Sequence, residues 1–215
     1  KKDPKFDASR WADALRFDIK PIVVAADHDT MPVPSPDGKR LAFTRNLGDL
    51  AVLELASGEV KTLRAGFDSD LEYTWSPDGS FIAFAEDDQD FNKDIWFVAA
   101  DGSSDAINIT RHPDSDYSPR FSADGKVMAF LSERTNEEVD VWFVFLDKDL
   151  EALAAKDLEE YFKTANENLK KRKPLEAPVV EATPAAVVTP KAVYAELDLA
   201  DAYRRVRRVT TLPGN

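Results

Sequence analysis

The chain has 215 residues, 43% of them hydrophobic, with no Cys, 13 Pro and a net charge of -12 from 28 basic and 40 acidic side chains. That much apolar material excludes wholesale disorder, and the lack of Cys excludes disulfides, thiolate metal sites and a cysteine nucleophile. The acidic balance argues against nucleic acid, whose phosphates are held by Lys and Arg, and no run approaches the roughly 18 apolar residues of a membrane span, so no membrane insertion is predicted.

Residues 1–21 are expected to lead into the first repeating unit. Lys1-Lys2-Asp3-Pro4 contains no apolar signal core. Because the chain begins at Lys1 rather than Met, it is expected to be a processed or excised piece, and its localisation stays open between cytoplasmic and exported (periplasmic).

Residues 22–146 repeat one pattern three times. Ser35-Pro36-Asp37-Gly38, Ser76-Pro77-Asp78-Gly79 and Ser122-Ala123-Asp124-Gly125 each precede an alternating strand that closes on Ala-Phe, at spacings of 41 and 46 residues. A period of about 40–45 residues with strand content marks a four-stranded propeller blade. Pro presets the first corner of each turn, Asp tolerates the second, and Gly takes the positive φ that reverses the chain. Downstream, Asp49-Leu50-Ala51-Val52, Asp94-Ile95-Trp96-Phe97 and Asp140-Val141-Trp142-Phe143 read as strands covered on both faces. A second turn at Ser57-Gly58 and Asp101-Gly102 leads to outer strands ending near Leu63 and Thr110. The aromatic residues Phe43, Trp75, Phe84, Trp96, Phe121, Phe130 and Trp142 are expected to pack blades rather than to cage a ligand. The fold class is all-β: a partial β-propeller of about three four-stranded blades, plus one amphipathic helix and an extended tail.

The helix is predicted over residues 147–173. Leu150, Leu153, Leu158, Tyr161, Phe162 and Leu169 recur at helical spacing, acidic residues open the segment, and Lys170-Lys171-Arg172-Lys173 closes it before Pro174. Residues 174–192, with Pro174, Pro178, Pro184 and Pro190, read as an extended linker. Residues 193–215 read as the strand-like start of a following module.

Catalytic chemistry is sparse. No G-x-S-x-G elbow, Walker motif or dinucleotide glycine motif occurs, so no catalytic residue and no cofactor are predicted. The two histidines, His28 and His112, are expected in inter-blade loops at one face, without a nucleophile at either. The best ion candidate is the acidic loop Glu86–Asn92, whose Asp87, Asp88 and Asp90 are hard oxygen donors suited to calcium. The loop lacks the Asp-x-Asp-x-Asp-Gly frame and a distal Glu, which favours a solvated loop over a metal site.

The repeat S-[PA]-D-G-x-x-[LIV]-A-F, followed by D-[LIV]-[WA]-[FV], resembles the WD-like propeller repeat of tricorn-type peptidases, of TolB and of prolyl oligopeptidase propellers. The segments Leu197-Asp198-Leu199, Arg205-Val206-Arg207-Arg208-Val209 and Leu212-Pro213-Gly214-Asn215 resemble the segment that follows a propeller in tricorn-like serine peptidases, with Ala200-Asp201-Ala202 departing from an expected Asp-Gly-Ile. An echo precedes the blades at Phe6-Asp7 and Leu15–Pro21. The resemblance implies a non-catalytic propeller portion that binds or channels peptide or unfolded protein toward a catalytic domain outside this chain. The partners implied are peptide substrate and the remaining domains of the parent chain or other subunits, with oligomerisation possible. The chain alone is expected to hydrolyse nothing. The alternative is a stand-alone TolB-like module for protein–protein interaction, and the discriminating observation is the reading frame beyond Asn215. Three blades do not close a ring of four to eight, so flanking sequence or another copy is expected to complete it.

Overall fold

The computed structural model describes residues 19–136, 138–170, 197 and 199–210. Twelve strands form three four-stranded antiparallel sheets. The first is β1 (Asp29–Pro34), β2 (Arg40–Arg45), β3 (Asp49–Glu54) and β4 (Val60–Arg64), paired in chain order. The second is β5 (Glu72–Trp75), β6 (Phe81–Asp87), β7 (Lys93–Ala99) and β8 (Ile107–Asn108). The third contains β9 (Asp116–Phe121), β10 (Val127–Thr135) and β11 (Glu138–Phe145), and its fourth strand is β12 (Val206–Arg208). These are the three predicted blades, as an open arc.

The Ser-x-Asp-Gly turns share one hydrogen-bond pattern. The hydroxyls of Ser35, Ser76 and Ser122 donate to the carboxylates of Asp37, Asp78 and Asp124 at 2.6, 2.7 and 2.6 Å. Each Ser oxygen also accepts the backbone N–H five residues on, and each Asp accepts the one two residues on. Gly38, Gly79 and Gly125 take φ of 69°, 73° and 73°, as the motif requires. Each turn thus fixes a register, and a one-residue slip would turn the buried set of the strand outward.

Strand alternation explains how the blades stack. In β6, Ile82 and Phe84 face the first blade, where they meet Ala42, Leu50 and Val52; Ala83 and Ala85 face the third, where they join Phe97, Met128, Phe130 and Val144. The middle blade is therefore apolar on both faces, and Phe84 and Phe97 are fully buried. Burying one such ring contributes roughly 1.5–3 kcal/mol.

Two expectations are corrected. The helix expected over 147–173 is two: α1 (Lys148–Glu151), with Asp147 capping the N–H groups of Asp149 and Leu150, and α2 (Ala155–Lys170). The break falls at Ala152–Ala154, so Leu153 is exposed while Leu150, Leu158 and Tyr161 pack on Val127, Phe143 and Phe145 of the third blade. Residues 171–173 and the linker 174–192 lie outside the described residues, as do Phe6-Asp7 and Leu212–Asn215. Among the described residues no helix is long and apolar enough to cross a membrane.

The second correction concerns the tail. Residues 22–146 do not complete three units, because the third blade takes its outer strand from Val206–Arg208, inside the region expected to begin a following module. The pairing Trp142↔Arg208, Phe143↔Arg207 and Val144↔Val206 is antiparallel, as in the other blades. The repeated Asp explains why the tail fits. In the second blade, Thr110 Oγ1 accepts the Ile95 N–H at 3.0 Å and donates to Asp94 at 3.0 Å, and Ile109 N–H donates to the Ile95 carbonyl. In the third, Thr210 Oγ1 accepts the Val141 N–H at 3.2 Å and donates to Asp140 at 2.5 Å, and Val209 N–H donates to the Val141 carbonyl. Val209-Thr210 thus makes the contacts of Ile109-Thr110, although it arrives some 60 residues after β11 rather than about ten after β7. In the first blade Asp49 does related work by accepting the Gly66 N–H at 3.1 Å.

Candidate functional site

The three first strands converge. Tyr73 of β5 places its hydroxyl on the carbonyls of Met31 and Ala42, and Trp75 donates its indole N–H to the Val33 carbonyl at 3.0 Å. On the other side Ser118 of β9 donates to Glu72 at 2.7 Å. β1, β5 and β9 are therefore the inner strands of the arc. Met31, Val33, Glu72, Tyr73, Ser118 and Arg120 line a cleft of about 280 Å³ along them.

The sequence builds this wall with one device used twice. Pro32 and Pro119 each stand three residues before the Ser of the turn, and Tyr73 occupies that place in the middle blade. The residues before the two prolines, Met31 and Ser118, have φ of 53° and 56°, and the pairing register shifts at those points in β1 and β9. The middle blade keeps a continuous register over Glu72–Trp75. A non-glycine residue at positive φ costs on the order of 1–3 kcal/mol and persists where surrounding structure holds it, often beside a binding surface. Here Tyr73 takes up the Met31 carbonyl, and burial raises its hydroxyl above the ordinary tyrosine range, so it stays a proton donor. Bulges and prolines also blunt the inner edges against continuous strand addition. What the cleft offers is side chains: Met31, 47% exposed, the half-buried Val33 and Glu72, and the exposed Arg120. The proline three residues before the turn serine, present in two of the three units, is the signal in the sequence for these residues.

Elsewhere in the arc, charge is tied up in contacts between and within blades. Arg40 lies 5.1 Å above the Trp75 ring and donates to the Gly79 carbonyl at 2.6 Å. Arg64 pairs with the buried Glu86 at 2.8 Å and lies over Trp96. Arg45 beside Asp29 holds that carboxyl below its usual range. In the third blade Arg134 pairs with the fully buried Asp116 at 2.5 Å and lies over both Phe130 and Trp142. Burial nonetheless raises the Asp116 carboxyl above its ordinary value, outweighing Arg134 and the hydrogen bonds.

The acidic loop is arranged for turn formation. Asp87 faces Lys93 at 3.4 Å, and Lys93 also holds Asp68 at 2.7 Å. Asp88 accepts the N–H groups of Asp90 and Asn92 at 2.8 and 3.0 Å, while exposed Phe91 takes a φ of 62°. Asp87, Asp88 and Asp90 are not brought together around one point, and among the described residues no group of three His, Asp or Glu side chains could hold a metal. His28 is exposed ahead of β1, its backbone paired with Asn46, whereas His112 lies between β8 and β9, its Nδ1 accepting the Asp114 N–H at 3.1 Å. A larger open groove of about 950 Å³ lies between α2 and the β9–β10 turn. It is made where the helix stands off one blade, and it gathers no polar groups from the others.

No protein-family model matches the chain, and no curated protein matches it. Solved structures do. The tricorn protease matches over 87% of this chain and 17% of its own, at a TM-score of 0.60 and 17% identity. TolB from Acinetobacter baumannii matches over 53% of this chain and 29% of its own, at a TM-score of 0.46 and 24% identity, and a putative TolB from Agrobacterium tumefaciens over 53% and 44%, at 0.44 and 28%. The matched part of the chain spans between 17% and 44% of the length of these proteins, and the tricorn match, which reaches beyond the first eleven strands, carries the comparison of folds.

Proposed function

We propose that the chain, whose fold is similar to that of the tricorn protease over 87% of its length, is the non-catalytic propeller portion of a tricorn-like serine peptidase, and that its inner-strand cleft binds extended peptide or unfolded protein on the way to a catalytic domain outside this chain. The observation that carries this reading is the convergence of Met31, Val33, Glu72, Tyr73, Ser118 and Arg120 from three different blades. Two features support it. The inner wall is held by two positive-φ bulges rather than by plain strands, and it combines an exposed apolar side chain with one acidic and one basic group, a set suited to weak contacts with varied chain. The net charge of -12 favours peptides with basic residues.

The test is fluorescence anisotropy with extended peptides of basic, neutral and acidic composition. Basic-apolar peptides are expected to bind most tightly, and Met31→Asp together with Glu72→Gln, which keeps an acceptor for the Ser118 hydroxyl, is expected to weaken them about tenfold or more. Equal binding by all three peptides, or indifference to the two substitutions, overturns the reading. The purified chain is expected to bind without hydrolysing.

A further inference from the structure

The third blade is held closed by a strand that does not belong to its local chain, and we infer that this strand can be exchanged: residues 197–210 act as a donor that the β11 edge accepts from a second copy of the chain as well as from its own. The donor carries its own recognition code. Leu199 and Ala202 are buried in the core between the second and third blades, and Arg205, 4% exposed, donates to the Phe145 carbonyl at 2.9 Å. Arg208 pairs with Asp140 at 2.5 Å, Arg207 with Glu151 at 2.6 Å, and Thr210 closes on Asp140 and Val141. Arg111, from the loop before β9, stacks on Tyr203 at 4.8 Å. Every one of these contacts is a short-range fit between a 14-residue segment and a preformed edge, the geometry of strand addition.

Covalent linkage adds only proximity. Lys170 and Leu197 are joined by the 26 residues 171–196, whose fully extended reach is roughly 90 Å, against about 10 Å between packed sheets. Such a tether sets an effective concentration of the order of millimolar, so a copy's own strand wins in dilute solution and exchange competes as the protein approaches that concentration. Exchange of an identical element between protomers leaves every native contact in place and changes only which chain supplies it.

The experiment uses the 215-residue chain and a fluorescent synthetic peptide of residues 197–210. After incubation at about millimolar concentration, the peptide is expected to be taken up saturably, with its uptake reduced about tenfold or more when it carries Arg205→Ala and Thr210→Ala. A variant lacking residues 172–195 keeps a two-residue tether of roughly 10 Å, which cuts the reach of the strand toward the β11 edge of its own chain. It is expected to run as a dimer in light scattering. Failure of the unmodified chain to take up the peptide, or equal uptake of a scrambled peptide, overturns the proposal. Because uptake is read on the unmodified chain, it decides even where the deletion variant does not fold.

Discussion

The second and third blades reach the same architecture by different routes. The second is local: β8 follows β7 after a short turn, and Thr110 closes on Asp94 and Ile95. The third interposes two helices and residues 171–196 between β11 and β12, yet Thr210 closes on Asp140 and Val141 with the same atoms. The blade is thus specified by its edge and by the clasp residues rather than by closeness in sequence of its fourth strand. The faces differ too. The second blade is buried between two others, whereas the far face of the third is covered by Leu150, Leu158 and Tyr161 of the helices.

The largest expected effect tests the shared core. Phe97→Ala removes a fully buried ring between these two blades and is expected to cost about 3–5 kcal/mol in urea unfolding; Phe143→Ala, on the helix-covered face of a half-buried strand, is expected to cost clearly less. Equal costs would mean that the third blade's far face is as much a core as the interior.

Next come the two clasps. Thr110→Ala and Thr210→Ala each remove a hydroxyl that accepts one hydrogen bond and donates to a carboxylate, and each is expected to cost about 1–3 kcal/mol. They should separate by mode: Thr110→Ala lowers the midpoint of the whole transition, and Thr210→Ala first raises proteolysis between Lys170 and Leu197 and then releases the tail. Identical behaviour would erase the distinction between local and distant strands.

Smaller still is the dependence on pH. Asp37, hydrogen-bonded by Ser35, and Asp124, where the Ser122 and Tyr161 hydroxyls outweigh burial, sit below the ordinary carboxylate value of 3.8. Their folded-state values lie below the unfolded one, so the stability they contribute is present above about pH 4 and is lost as pH falls through the folded values. Asp116, raised by burial, has the opposite sign: its penalty is present at neutral pH and is relieved on acidification. Midpoints measured between pH 3 and 6 should therefore fall less steeply for Asp124→Asn than for the unmodified chain, and more steeply for Asp116→Asn. The smallest expected effect is calcium. With Asp88 committed to its own turn and Asp87 to Lys93, millimolar calcium is expected to leave the melting temperature unchanged, and a rise of several degrees would show a site.

What was legible in the sequence follows from the range of the interactions. The Ser-x-Asp-Gly turns and the apolar strands are encoded within a few residues, so blades, turns and packing aromatics such as Phe84 and Phe130 could be read directly. The outer strand of the third blade could not. Arg205–Thr210 reads as strand, but which edge it joins is decided by Asp140 and Phe145, some 60 residues away, and its likeness to Ile109-Thr110 is only two residues long. The helix break had a local cause hidden by periodicity: Leu153 and Ala154 continue the apolar spacing, while the cap at Asp147 and the Leu150 contact fix a short first turn. The inner cleft was half legible, since Pro32 and Pro119 repeat in the sequence, but the meeting of Tyr73 with Met31 and of Ser118 with Glu72 exists only once blades stack.

The most direct test of blade closure by the distant strand is amide hydrogen exchange at four positions. Val209 and Val141 make the bonds in the third blade that Ile109 and Ile95 make in the second. Protection of Val209 and Val141 orders of magnitude above the unstructured rate, alongside that of Ile109 and Ile95, is the result expected of a blade completed by residues 206–208. Exchange of Val209 at the unstructured rate while Ile109 stays protected would show that the third blade ends at β11.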